Sequence, residues 1–154
     1  MSTAATTPTV RRPRIMILED ERQLIELFEM SIHDWFKDPE IITFVNGNEA
    51  WMELNRQEPD LLIMDCSHPG LSGIEIMEQL AARMAKCVIL LTSELFEGNL
   101  KHIRERGLKI AYLPKPFGVV QFWRALNEHV GSSDFPERQS LVGVLGAEAK
   151  VSAV

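Results

Sequence analysis

The chain has 154 residues, of which 45% are hydrophobic and 25% charged, and a formal net charge of -6 at neutral pH. That length and apolar content suit one domain around one core, without disulfide or metal staples. The acidic balance argues against a general nucleic-acid binder, which needs a basic face for phosphate, though it leaves room for a local basic contact, and no apolar run is long enough to span a bilayer.

The first residues, 1–13, are rich in Thr, Ala and Pro and lack the apolar stretch of a secretory signal. They are expected to form a flexible lead-in, as residues 131–154 are expected to form a flexible tail, because neither can bury much surface. Between them, 14–130 is the expected folded unit. Ile15 to Leu18 is an apolar run ending in Glu19-Asp20-Glu21, after which Leu24, Leu27, Phe28 and Ile32 recur at helical spacing. Ile41 to Val45 reads as a second strand, and Asn46-Gly47-Asn48 leads into a helix carrying Ala50, Trp51 and Leu54. Leu61 to Met64 is a third strand ending at Asp65, followed by a helix marked by Ile74, Met77 and Leu80. Val88 to Leu91 is a fourth strand ending at Thr92, and Leu100 and Ile103 mark a helix closed by Gly107. Ile110 to Leu113 is a fifth strand running into Lys115-Pro116, and Phe117 to Val130 is the last helix. This alternation predicts an α/β fold, a doubly wound five-stranded parallel sheet with helices on both faces. Near-continuous apolar strands fit a sheet buried on both sides, and such sheets bind ligands at the carboxyl ends of their strands.

Those ends carry Glu19, Asp20, Asp65, Thr92 and Lys115. Clustered carboxylates need a cation to stay ionised together, and an all-oxygen cluster suits a hard ion such as Mg²⁺. An Asp so held can attack phosphorus and form an acyl phosphate. A neighbouring lysine supplies fixed positive charge for the transferring oxygens, and a threonine hydroxyl can donate to the new phosphoryl group. Taken singly, each residue has a plainer reading: Glu21 as a helix cap, Thr92 as a turn hydroxyl, Lys115 as a solvated charge, Asp65 as a turn opener into Pro69-Gly70. Their coincidence at one sheet edge is what carries the chemistry. Cys66 and Cys87 form no zinc spacing and no disulfide framework, so a reducing, cytoplasmic setting is expected. Cys66 reads as an inert core thiol, His68 as an exposed loop residue, and Trp51 and Trp123 as partly buried packing.

Four segments resemble a response-regulator receiver domain of two-component signalling: Ile17-Leu18-Glu19-Asp20-Glu21, the run from Met64-Asp65 to Pro69-Gly70 and Gly73, Leu90-Leu91-Thr92-Ser93, and Tyr112-Leu113-Pro114-Lys115-Pro116-Phe117. The resemblance implies a flavodoxin-like sheet in the order 2-1-3-4-5. It implies Asp65 as phosphoacceptor, with Lys115 and Thr92 contacting the phosphoryl group. Mg²⁺ would be held by Glu19, Asp20, Asp65 and the carbonyl of Ser67, Thr92 and Tyr112 would form a conformational relay, and the bond before Pro116 would be cis. Implied partners are a sensor histidine kinase or histidine phosphotransfer protein, a downstream protein target and a second copy of the chain, with no direct nucleic-acid contact and no membrane insertion. The chain would not be an enzyme beyond catalysing its own aspartyl phosphorylation and dephosphorylation. Two departures stand out: Ser93 replaces the family's usual small residue and narrows access, and Pro114 belongs only at an edge or strand end. A haloacid-dehalogenase-type hydrolase would need a second Asp where Ser67 stands, and a pseudo-receiver would have lost Asp65, Lys115 or the acids. The stretch after Val130 is too short for an output domain, so a stand-alone receiver is expected, the alternative being a fragment of a longer regulator.

Overall fold

A computed structural model of the chain describes residues 12–81, 83, 88–92 and 97–130. Ten elements alternate along it. The first half comprises β1 (Arg14–Leu18), α1 (Arg22–Trp35), β2 (Glu40–Phe44), α2 (Gly47–Arg56) and β3 (Leu61–Met64). The second comprises α3 (Gly73–Leu80), β4 (Val88–Leu91), α4 (Glu97–Glu105), β5 (Lys109–Tyr112) and α5 (Val119–Val130). The five strands form one parallel sheet in the order β2-β1-β3-β4-β5, as the sequence predicts.

Strand side chains alternate between the two faces, and here both faces are covered. Met16, Leu18, Leu62, Met64, Ile89 and Leu91 pack with Ala50 and Leu54 of α2, Ile76 and Met77 of α3 and Ile103 of α4. Ile15, Ile17, Leu61 and Ile63 point the other way, into Phe28, Ile32 and Trp35 of α1 and Phe122 and Leu126 of α5. This is why the strands read as unbroken apolar runs. Trp51 and Trp123 are partly buried against these two cores, as expected.

Arg14 opens β1 but is almost wholly buried. Its guanidinium reaches Glu40 at the start of β2, at 3.0 Å, and Glu53 on α2, while its N–H donates to Asp60 Oδ2 at 2.7 Å. The base of the sheet is thus cross-braced by charge. Arg12 and Pro13, assigned by sequence to the flexible lead-in, are already tied down: Arg12 pairs with Asp38 at 3.1 Å, and the Pro13 carbonyl accepts the Glu40 N–H at 2.8 Å. The rest of the lead-in and the tail at 131–154 lie outside the described residues, as do Ser93 and Cys87.

Several boundaries differ from expectation: β1, β2 and β5 each begin one residue earlier than predicted, β2 and β5 also end one residue earlier, and the start of α5 moves as well. The last helix begins at Val119 rather than Phe117, because Gly118 caps it: its carbonyl accepts the Phe122 N–H at 3.2 Å, and its own N–H donates to Gln121 Oε1 at 2.9 Å. Phe117 is apolar because it packs on Phe28, ring centroids 6.0 Å apart, not because it is helical. β5 ends at Tyr112, so Pro114 stands beyond an edge strand and breaks no ladder bond. Gly107, at φ +95°, follows α4 as expected.

Candidate functional site

The hydrogen-bonded ladder runs one residue past several strands, and this places the polar residues. Glu19 N–H donates to the Phe44 carbonyl (3.1 Å), Asp65 N–H to Leu18 (3.0 Å), and Thr92 N–H to Met64 (3.2 Å). Each strand therefore delivers its terminal residue in register with its neighbour, at the carboxyl edge of the sheet.

Glu19, Asp20 and Asp65 each present a carboxylate oxygen within 4.8 Å of the others. Glu19 and Asp65 are buried, at 1% and 4% exposure, whereas Asp20 faces solvent. The Lys115 ammonium sits between the buried pair, 2.8 Å from Asp65 Oδ2 and 3.3 Å from Glu19 Oε2. It arrives on the Lys115–Pro116 segment, whose peptide bond is cis as expected. Glu19 Oε1 accepts the N–H groups of Asp20 and Glu21 at 3.1 and 3.0 Å. Glu21 occupies the position preceding α1, yet its own side chain caps nothing. Glu19 thus serves the turn that Glu21 was a candidate to cap.

Burial pushes the Glu19 carboxyl above its ordinary range, and the nearby Asp65 charge adds to this; the Glu21 N–H and Lys115 only partly offset it. For Lys115, burial works against the charged form, but the hydrogen bond to Asp65 and the charge of Glu19 outweigh it and raise its pKa. Burial also pushes the Cys66 thiol up to about 12, with the Asp65 charge contributing, so this thiol stays protonated and inert.

Thr92 is fully buried, and its hydroxyl has no hydrogen-bond partner among the described residues. Such groups are costly and call for an explanation. Ser67 is exposed and meets the cluster through its N–H, which donates to Asp65 Oδ1 at 3.0 Å. Tyr112 closes β5, half-buried against the core. The structure thus brings Glu19, Asp20, Asp65 and Lys115 together, with Ser67 bonded to Asp65 and Thr92 on the adjoining strand end. His68 is less exposed than its loop position suggests. Its Nδ1 lies 3.2 Å from the Pro69 carbonyl, and its Nε2 is buried with no partner among the described residues.

Sequence reasoning overlooked Asn46, Gly47 and Asn48 as more than a turn. Asn46 caps α2 by accepting the Asn48 N–H at 2.8 Å, and Asn48 Oδ1 accepts the Leu71 N–H at 3.1 Å. An asparagine one residue into a helix is the only trace of this in the sequence.

Residues 15–127 match the family described as response regulator receiver domain. The polar-differentiation response regulator DivK of Brucella anthropi is 30% identical over 122 residues, covering 77% of this chain and 97% of DivK. The phosphate regulon transcriptional regulatory protein PhoB of Rhizobium meliloti is 35% identical over 113 residues, 70% of this chain but only 47% of PhoB. The chain thus spans about half the length of that larger relative. Among solved structures, the receiver domain of the sensor histidine kinase PA1611 from Pseudomonas aeruginosa PAO1 superposes with a TM-score of 0.62 at 22% identity, covering 79% of this chain and all of that one. That structure has a magnesium ion coordinated in its active site cleft. The phosphorylated cyanobacterial phytochrome response regulator RcpA gives 0.63 at 20% identity, covering 82% of this chain and all of that one. At these identities the structural likenesses speak for the fold.

Proposed function

Because this chain belongs to the response regulator receiver domain family, we propose that it is a phosphorylated switch whose acceptor is Asp65. The observation that carries this is the Asp65 carboxylate itself: buried, paired with Lys115 at 2.8 Å, and grouped with Glu19 and Asp20. Held this way it stays available as a nucleophile toward phosphorus. Lys115 offsets charge on the transferring oxygens. The buried Thr92 hydroxyl gains its missing partner when a phosphoryl oxygen arrives.

The donor set fits Mg²⁺: three carboxylates, no nitrogen or sulfur ligand, and one member open to solvent. Glu19, Asp20, Asp65 and the Ser67 carbonyl would hold it, and when bound it offsets the carboxylate and phosphoryl charge. We assign the switch to residues 14–130, with 1–13 and 131–154 as its flanks. Thr92 and Tyr112 form its relay: phosphorylation turns the hydroxyl toward the acceptor, and Tyr112 follows into the space vacated. The phosphoryl donor is a sensor histidine kinase or a histidine phosphotransfer protein, the output is docking to a protein target or a second copy, and the setting is the cytoplasm. Among the described residues no helix is long and apolar enough to cross a membrane. The chain acts on no substrate besides its own aspartate.

Incubation with acetyl phosphate and Mg²⁺ should add one hydroxylamine-sensitive phosphoryl group, read by intact mass, and Asp65→Asn should abolish it. The same label on the Asp65→Asn protein would remove Asp65 from this role.

A further inference from the structure

The turn before α2 and the loop after Asp65 are clasped together. Gly47 N–H donates to the Pro69 carbonyl at 2.7 Å, and Leu71 N–H donates to Asn48 Oδ1 at 3.1 Å. The approach is so close that a Cβ at position 47 would lie 2.0 Å from the Leu71 carbonyl oxygen and 2.8 Å from His68 Cε1. A Cβ at position 70 would lie 2.6 Å from Asn46 Oδ1, and Gly70 holds φ +84°, a conformation that glycine adopts without strain. The clasped loop begins at the acceptor, where Ser67 N–H donates to Asp65 Oδ1 at 3.0 Å. The orientation of the Asp65 carboxylate is therefore set partly by a loop, and that loop is set by α2.

We propose that Asn48 is a positioning residue for the phosphoacceptor. It touches no reacting atom. By holding the Leu71 N–H it fixes the 67–71 loop, keeps the Ser67 N–H on Asp65, and presents the acceptor and the Ser67 carbonyl together to a divalent cation. This inference rests on the reading of Asp65 and its neighbours as a Mg²⁺-assisted phosphoacceptor site. Partners that orient metal ligands from outside the ligand set are worth about 10- to 100-fold in affinity, and Asn48 stands one step further out, so a smaller effect is expected.

The test uses the full chain as parent, Asn48→Ala and Asn48→Asp, the last keeping an acceptor oxygen of the same reach. Asn55→Ala is the control, an exposed asparagine of the same helix whose side chain donates to the Trp51 carbonyl. Titration with MgCl₂ alone, followed by amide NMR, should show a half-saturation concentration about 3- to 10-fold higher in Asn48→Ala, while Asn48→Asp and Asn55→Ala do not weaken. In the Mg²⁺-free protein, Asn48→Ala should speed exchange of the Ser67 amide as well as that of Leu71. A merely local contact would free Leu71 alone. A parent that titrates with Mg²⁺ and is labelled at Asp65, beside an Asn48→Ala protein with unchanged half-saturation and Ser67 exchange, overturns this inference only. Equal weakening in Asn48→Asp also overturns it, since the acceptor oxygen would then not be the cause. A parent that neither titrates nor accepts label overturns the Asp65 reading, and this inference with it.

Discussion

Thr92 carries an unusual burden, a fully buried hydroxyl with no hydrogen-bond partner among the described residues. Replacing it with the isosteric valine removes that unsatisfied group and keeps the packing. Thr92→Val should therefore raise the stability of the unphosphorylated chain by about 1 kcal/mol, measured by urea unfolding. On the proposed relay, the variant lacks the donor for the phosphoryl group, so beryllofluoride with Mg²⁺ should shift the Tyr112 ring signals far less than in the parent. A variant less stable at rest but unimpaired in that shift would place the hydroxyl in the structure rather than in the switch. A second single-residue expectation concerns acid. Glu53 is held below its ordinary pKa of 4.5, chiefly by its hydrogen bond from Arg56, with Arg14 adding charge. A depressed carboxyl contributes stability that is present above the unfolded pKa and lost as pH falls through the folded one. The parent should thus lose stability as pH drops below 4.5, and Glu53→Gln, though weaker at neutral pH, should lose less over that interval. Parallel curves for the two proteins would mean that the Glu53 ion pairs, with Arg56 first among them, are not linked to pH.

At the scale of elements, α1 and α5 meet through aromatic rings. Phe28 is fully buried, with its centroid 4.8 Å from that of Phe122 and 6.0 Å from that of Phe117. Phe117 lies just past Lys115, so this stack also anchors the segment that carries the ammonium. Phe28→Ala should cost about 4 kcal/mol, seen as a lower urea midpoint, and should loosen Lys115 enough to slow labelling at saturating Mg²⁺. Loss of stability with an unchanged labelling rate would confine the stack to a packing role. The same seam shows what a sequence can and cannot tell. The strands were legible because both faces of the sheet are buried, which leaves runs such as Leu61 to Met64 without polar interruption. The site was legible because its residues stand where those runs stop. The start of α5 was not, since Phe117 satisfies a helical spacing while serving a tertiary contact. Nor was the clasp on α2: one of its bonds joins two backbone groups, Gly47 and Pro69, which no side-chain pattern announces. The Arg14 brace was equally hidden, because Glu40 and Glu53 lie 26 and 39 residues away and surface acids are common.

For the molecule as a whole, the strand order puts β1 and β3 at the centre and leaves β2 and β5 as edges, so the acids sit on central strands while the lysine comes from beyond an edge. The ion pairs that complete the site span the chain: Lys115 is 50 residues from Asp65 and 96 from Glu19. A domain made from its amino terminus onward folds as a unit once its long-range contacts can close. Until Lys115 has left the ribosome, a growing chain holds Glu19, Asp20 and Asp65 without their counter-charge, and the aromatic stack that seats the lysine still lacks Phe117 and Phe122. On the proposed role of Lys115, a copy truncated before that residue is therefore expected to accept no phosphoryl group, so that competence to be switched arrives only with the segment that follows β5.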